Sequence, residues 1–583
     1  MKKIISLFLC TVILAVSLIP AVHADEVKND NPTVLVPGFL QSYMFIEDEN
    51  GDRENLFPPE AKNIIVRIMQ DLHNFLPALF GLLWGDFENF GYTLGTGIYP
   101  VAGELACNPD GSSVNDIKHY SNAPEDSNAA SIIEQVENGK RDMVQFEYLI
   151  EYVEENKFTD ISNLFVFEYD SRMDSIQLAK ELRDYIKSVK QYTGADRVNV
   201  FTISYGGLIA ATYLYYYMND RDTDKIVLSD PALGGTNFPA QVFNASVDLP
   251  LSTLVDFVEY LLGSGTQIYR LLQNAEAENI NVLMNAATSA MGEIMVNWGS
   301  VWTLCTPELY TEYKSKLLDS EKNAAIIERN DIIHYEIMPA MKETFEKVKS
   351  LGSEVSIIAG MGNEICLGGD VNSDILLPTN GITGATCADI GERFEDGYKA
   401  KGTSCRNSSH NHVSPSMQID ASTAFLPENT WFIEGHYHAM YYTEKYTLSL
   451  IGKLLFTDEI KDVHSDSEYP QFTYSDNAHY GVCIRFNSSK SGYITSEDTA
   501  LTVKNVYDNS LIKIVSVKCD GIDIEFDAAL SKPLLPGESV DVSFSGDLPE
   551  VTAKGAVITV EYIKLGVLSS VSSADFAVMV YNK

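Results

Sequence analysis

Residues 197–211 read RVNVFTISYGGLIAA. Val198, Val200 and Ile203 are apolar and β-prone, with Phe201 between them, the texture of a parallel strand buried on both faces. Leu208 to Tyr217 is an apolar helical run. Ser204, Tyr205, Gly206 and Gly207 stand between the two. A serine at a sharp strand-to-helix turn, with glycines behind it, presents a nucleophilic hydroxyl at the top of a sheet. Small residues are needed there because the chain reverses tightly and the serine backbone is strained. The first N–H groups of the helix also face any negative charge that develops on a bound carbonyl. The pattern departs from G-x-S-x-G at its first position, where Thr202 makes a tighter fit than glycine.

The chain of 583 residues exceeds what one domain usually holds. Met1-Lys2-Lys3, an apolar run from Ile4 to Ala21 and Val22-His23-Ala24 predict a secretory signal peptide over 1–24, and so a secreted, extracellular protein. A formal net charge of −39 excludes nucleic acid as an electrostatic partner and fits solubility outside the cell. Eight cysteines, less Cys10 in the leader, leave seven, so at least one thiol is unpaired. Cys366, Cys387 and Cys405 share a loop-rich region where a local disulfide is expected. No CxxC pair points to zinc, and the H-x-H pairs His410/His412 and His436/His438 are a weak signal, so neither metal nor cofactor is expected.

Around the serine, strands and helices alternate, which predicts an α/β fold with a mostly parallel sheet flanked by helices. Thr33 to Val36 is a short buried strand, followed by Pro37-Gly38-Phe39-Leu40-Gln41-Ser42. That loop would donate the Phe39 N–H, and the Tyr205 N–H would join it in an oxyanion hole. In residues 56–107, Ile64, Ile68, Met69, Leu72 and Phe75 recur at helical spacing. They make a core stripe that also offers transient contact with a membrane or micelle surface. Asn163 to Asp170, Lys225 to Leu228, Glu354 to Ile358 and Thr430 to Glu434 read as further strands, and Tyr446 to Phe456 as the closing helix. The mostly helical stretch at about 240–330 reads as a lid inserted into a catalytic unit spanning 25–465. From 466 to 583, segments such as Val540-Asp541-Val542-Ser543-Phe544 alternate with period two, which predicts an immunoglobulin-like β-sandwich.

A serine hydroxyl needs a base to take its proton and a carboxylate to orient that base. With a strand-to-helix serine the chain order is serine, acid, histidine. Of the ten histidines, His436 and His438 directly follow a strand and precede the final helix. His438 is the chosen base and His436 its alternative. Asp374, in Ser373-Asp374-Ile375-Leu376-Leu377-Pro378, is the chosen acid because an apolar run follows it at once; Asp370 and Asp230 are its alternatives.

Four of these stretches together resemble the lecithin:cholesterol acyltransferase-like group of α/β-hydrolases and its related bacterial lipases. Val34 to Ser42 resembles the family's V-P-G strand and loop, and Tyr169-Asp170-Ser171-Arg172 its Y-D-W-R with Ser171 in place of Trp. Ile203 to Gly207 resembles its H-S-M-G-G elbow, and Ser373 to Pro378 its D-G-T-V-P. Gly435-x-x-His438 agrees with its last motif. The resemblance spans about residues 30–460. It implies a secreted serine lipase or esterase acting on acyl esters of lipids, with Ser204, Asp374 and His438 as triad and a lid over the serine. Alternatives are lipid O-acyl transfer on the same triad, a peptidase or thioesterase, and an inactive hydrolase fold that binds a surface through its sandwich.

Overall fold

The structure, a computed structural model, describes residues 29–580 apart from 58–102, all but Asn285 and Gly292 of 245–293, and shorter stretches including 366–370 and 439–443. The expected signal peptide, most of the apolar stripe, the core of the expected lid, Cys366 and Asp370 lie outside the described residues.

Seven strands form the central sheet: β1 (Thr33–Val36), β2 (Leu164–Val166), β3 (Val198–Ile203), β4 (Thr223–Ser229), β5 (Glu354–Met361), β6 (Thr430–Glu434) and β7 (Phe472–Tyr474). Their spatial order is β7-β6-β5-β4-β3-β1-β2, and every neighbouring pair is parallel. β3 is buried at all six positions, so its side chains serve two cores. Val198 and Val200 pack on one face; Phe201 and Ile203 pack on the other with Ile358, Trp431 and Leu450. That is why this strand carries apolar residues without alternation.

Helix α1 (Ser175–Thr193) crosses from β2 to β3. Asp174 caps it by accepting the Ile176 and Gln177 N–H groups at 3.1 Å each, and Gly194 ends it at φ 74°. Helix α2 (Tyr205–Tyr217) follows β3 directly and is buried from Tyr205 through Leu214. Helix α3 (Met341–Ser350) leads into β5, and α4 (Lys445–Phe456) follows β6.

β7 lies beyond residue 465. Its three residues, Phe472-Thr473-Tyr474, pair in parallel with Phe432-Ile433-Glu434 and extend the central sheet past the expected boundary. Three residues are too few to show a period, which is why this strand fell on the sandwich side in the sequence. The remaining C-terminal strands form two four-stranded sheets around one core that includes Val482, Leu501, Val542, Ile558, Val560, Phe576 and Val578. Pairing is antiparallel except where Tyr493–Ile494 runs parallel to Met579–Val580. The expected local disulfide is also corrected: Cys387 and Cys405 are both free thiols. Among the described residues, no helix is long and apolar enough to cross a membrane.

Candidate active site

Because the strands are parallel, their C-terminal ends share one edge of the sheet. Ser204 follows β3, Asp230 follows β4 and His438 lies shortly beyond β6, all on that edge. Ser204 has φ 55° and ψ −122°, a region that L-residues with a Cβ rarely occupy. Its backbone is held there from both sides. The Ser204 N–H donates to Ser229 O at 3.0 Å, and its carbonyl accepts from Gly207 N–H (2.9 Å) and Ala232 N–H (3.0 Å). The two glycines are needed for space. A Cβ on Gly206 would stand 2.5 Å from the Val36 and Pro37 carbonyl oxygens, and one on Gly207 would stand 2.3 Å from Pro231 Cβ. Thr202 is tolerated at the tight first position because Gly207 faces it: a Cβ there would come within 3.3 Å of Thr202 Oγ1.

The loop after β1 wraps the serine. A Cβ on Gly38 would sit 3.0 Å from Ser204 Cβ, so glycine lets this backbone approach the hydroxyl. The Gly38 N–H is taken by Gln41 Oε1 at 2.6 Å and the Leu40 N–H by Ser171 Oγ at 3.2 Å. Phe39 lies between these two occupied donors. Tyr205 is the first residue of α2, so its N–H belongs to the unpaired first turn. The Tyr169 hydroxyl sits between Pro37 O (2.8 Å) and Gly38 O (2.7 Å), tying the loop to the end of β2. The other residues of the Tyr169–Arg172 motif are also structural. Ser171 anchors Leu40, and Arg172, fully buried, forks onto Asp170 (2.9 and 2.6 Å) and reaches Leu105 O at 3.1 Å.

Asp374 reaches the same edge by a fold-back. Asn363–Glu364 pairs antiparallel with Asn372–Ser373, which returns the chain over the end of β5. A Cβ on Gly360 would stand 2.6 Å from Asp374 Cβ, so glycine lets that return pass close to the strand. The buried Asp374 carboxylate is then locked. Oδ1 accepts the Leu376 and Leu377 N–H groups at 2.9 and 2.7 Å, while Ile375 takes φ 90° to close the turn. Oδ2 faces His438 Nδ1 at 2.6 Å, and the backbones join where His438 N–H donates to Asp374 O at 2.8 Å. With Nδ1 held by the acid, Nε2 is the nitrogen left to exchange a proton. Burial alone would lower the His438 pKa, but the Asp374 carboxylate and its hydrogen bond outweigh it and hold the imidazole above the ordinary histidine value.

The alternatives His436 and Asp230 are brought together as a pair of their own. His436 is fully buried; Nε2 meets Asp230 Oδ2 at 2.9 Å and Nδ1 meets Glu444 Oε2 at 2.8 Å. Burial disfavours its charged form, but two flanking carboxylates overcome that and raise its pKa well above the usual value. Both ring nitrogens of His436 are therefore occupied, each by an acid. Asp230 Oδ1 also accepts the Gly360 N–H at 2.9 Å. The pair crosses over β5, the strand between β4 and β6, which sequence order does not reveal. The other H-x-H pair is drawn into a separate cluster. His410 and His412 meet Cys405, Glu428 and His464, with ligand atoms within 4.8 Å of one another.

No protein-family model and no curated protein matches the chain. Solved structures do. A Bacillus licheniformis lipase in its mature form is 11% identical over 38% of this chain and 65% of its own, with a TM-score of 0.18. The chain thus spans less than two thirds of that lipase. The phospholipase PlaB of Legionella pneumophila is 10% identical over 75% of this chain and 90% of its own, with a TM-score of 0.26. A structure from a study of carboxylesterases of the thaumarchaeon Nitrososphaera is 11% identical over 37% and 66%, with a TM-score of 0.17. The parallel sheet, with Ser204 at a strand-to-helix turn, fits an α/β-hydrolase fold.

Proposed function

We propose that this protein hydrolyses acyl esters of lipids through Ser204, His438 and Asp374. The observation that carries the proposal is the strained Ser204 at the end of β3, on the sheet edge that also holds the His438–Asp374 pair. In this reading Ser204 Oγ attacks the ester carbonyl carbon while His438 Nε2 takes its proton. Asp374 keeps Nδ1 protonated and steadies the imidazolium that forms. The Phe39 and Tyr205 N–H groups receive the oxyanion. Collapse expels the alcohol, protonated by His438, and leaves an acyl-serine. Water, deprotonated by the same histidine, then releases the acid.

The surroundings favour an apolar acyl group. Phe39, Leu40 and Met173 are only partly buried and pack with Trp298; Phe39 lies 6.5 Å from the Trp298 ring and 6.2 Å from Tyr205. An acyl chain can lie against such a wall, where a charged leaving group would be poorly solvated.

The deciding experiment combines a fluorophosphonate probe with a panel of p-nitrophenyl and glyceryl esters of increasing chain length, with and without a sterol acceptor. Covalent labelling and ester turnover are expected. A folded protein that neither labels nor turns over any ester is a binding protein, and the proposal then fails. Transfer to the sterol in preference to water would move the assignment to acyltransferase.

The oxyanion loop gives a milder expectation. Tyr169→Phe removes the one hydroxyl proton shared by the Pro37 and Gly38 carbonyls, of which Gly38 O keeps the Gln41 N–H, at a cost of about 1–3 kcal/mol. It also frees the Phe39 backbone. Turnover should fall about 10- to 100-fold with KM little changed. Unchanged kcat in a destabilised Tyr169→Phe protein would remove Phe39 from the oxyanion hole.

A further inference from the structure

Away from the serine, Cys405, His410, His412, Glu428 and His464 come together from three parts of the chain. Cys405, His410 and His412 lie in the loop before β6, Glu428 in the turn that enters β6, and His464 after α4. Glu428 precedes β6 and His438 follows it, so the cluster sits at the end of the sheet opposite Ser204. It is separate from the candidate active site.

The hydrogen bonds around the cluster leave lone pairs for a cation. The Gln471 side-chain Nε2 donates to Pro427 O (2.6 Å) and Thr430 O (3.2 Å), which fixes the amide's orientation. Its Oε1 is then the atom 2.6 Å from His412 Nδ1, so Nδ1 carries the proton. His412 Nε2 is left unprotonated. The ring is buried at 3% exposure, and Nε2 has no hydrogen-bond partner among the described residues. A buried bare imidazole nitrogen, with its other nitrogen pinned by an amide oxygen, is how proteins prepare a histidine to bind metal. His410 lies beside it, with the Asn407 side-chain NH2 donating to its Nε2. Its Nε2 lies 2.8 Å from the Asn407 side-chain amide and its Nδ1 lies 3.4 Å from Cys405 Sγ. That sulfur–nitrogen distance suits two ligands of one tetrahedral ion at Zn–S of about 2.3 Å and Zn–N of about 2.0–2.1 Å. The His464 ring stacks on His410 with centroids 3.4 Å apart, and its Nε2 lies 4.0 Å from Glu428 Oε1.

We propose that Cys405, His410, His412 and His464 bind a structural zinc ion, with the Glu428 carboxylate beside it. One thiolate and three imidazoles suit zinc, whereas calcium and magnesium require oxygen ligands. The ion would bolt the long loop before β6 to the segment that delivers β7, an edge strand of only three residues. Binding displaces the thiol proton of Cys405 to solvent, so uptake releases acid.

The test uses the full chain, stripped with a chelator and titrated with Zn2+ alone. Wild-type protein should take up about one equivalent, melt a few degrees higher with it, and ignore Ca2+ in excess. Co2+ in its place should give sulfur-to-cobalt charge-transfer absorption that Cys405→Ser removes. His464→Ala should weaken zinc binding at least tenfold while far-UV circular dichroism stays native. If a variant fails to fold, the wild-type cobalt spectrum decides alone. Absence of the thiolate band, or zinc held as tightly by the Cys405→Ser/His464→Ala protein, overturns the site.

Discussion

Ser204→Ala should abolish ester turnover, by on the order of 10⁴- to 10⁶-fold in kcat, while the melting temperature stays within a degree or two of wild type. Alanine keeps the Cβ and therefore the strain at φ 55°. Ser204→Gly should be equally inactive but more stable. Backbone strain of this kind costs about 1–3 kcal/mol, and glycine removes it. Against that stands the extra freedom of glycine in the unfolded chain, roughly 0.5–1 kcal/mol. The net gain is about 1 kcal/mol, readable by chemical denaturation of the two inactive variants side by side. Turnover surviving in Ser204→Ala would refute the nucleophile. Equal stability of the alanine and glycine forms would show that the turn stores no strain for reactivity.

That turn was also the most legible part of the chain, for a physical reason. A fully buried parallel strand followed by a glycine-rich start to an apolar helix has few other meanings, and the spaces that Gly206 and Gly207 must leave empty are local. Asp374 was readable for a related cause, since its carboxylate is fixed by the N–H groups of Leu376 and Leu377, two and three residues on. Less local arrangements were hidden. Asp230 and His436 each looked like a spare member of a triad, because each follows a strand. Only the sheet order shows that they meet each other across β5, with Glu444 closing the far side. The Cys405–His464 cluster was dispersed in the same way: its members are set by the packing of three loops, and no fixed spacing announces them.

Exchanging the two neighbouring histidines for alanine should produce opposite losses. His438→Ala should lower kcat/KM on the order of 10⁴-fold with a smaller stability cost, about 1–3 kcal/mol, because the buried Asp374 carboxylate it leaves still accepts the Leu376 and Leu377 N–H groups. His436→Ala removes the imidazole between Asp230 and Glu444, both fully buried. Breaking such an arrangement from one side costs about 3–5 kcal/mol, so this variant should melt far earlier while retaining activity at low temperature. The pH profiles follow with opposite senses. His438 works as a base only when neutral and its pKa is raised, so kcat/KM falls as pH drops through a value above the ordinary histidine pKa of about 6.5. The folded-state pKa of His436 is also raised. Its contribution to stability is therefore complete below the unfolded value of about 6.5 and is lost as pH climbs through the folded one. Wild type should thus shed stability toward alkaline pH over a range where its activity is rising, and the His436→Ala protein should keep only the smaller share of that loss due to His438. A His436→Ala enzyme of normal stability but no activity would exchange the two roles, making the Asp230–His436 pair the one that serves Ser204.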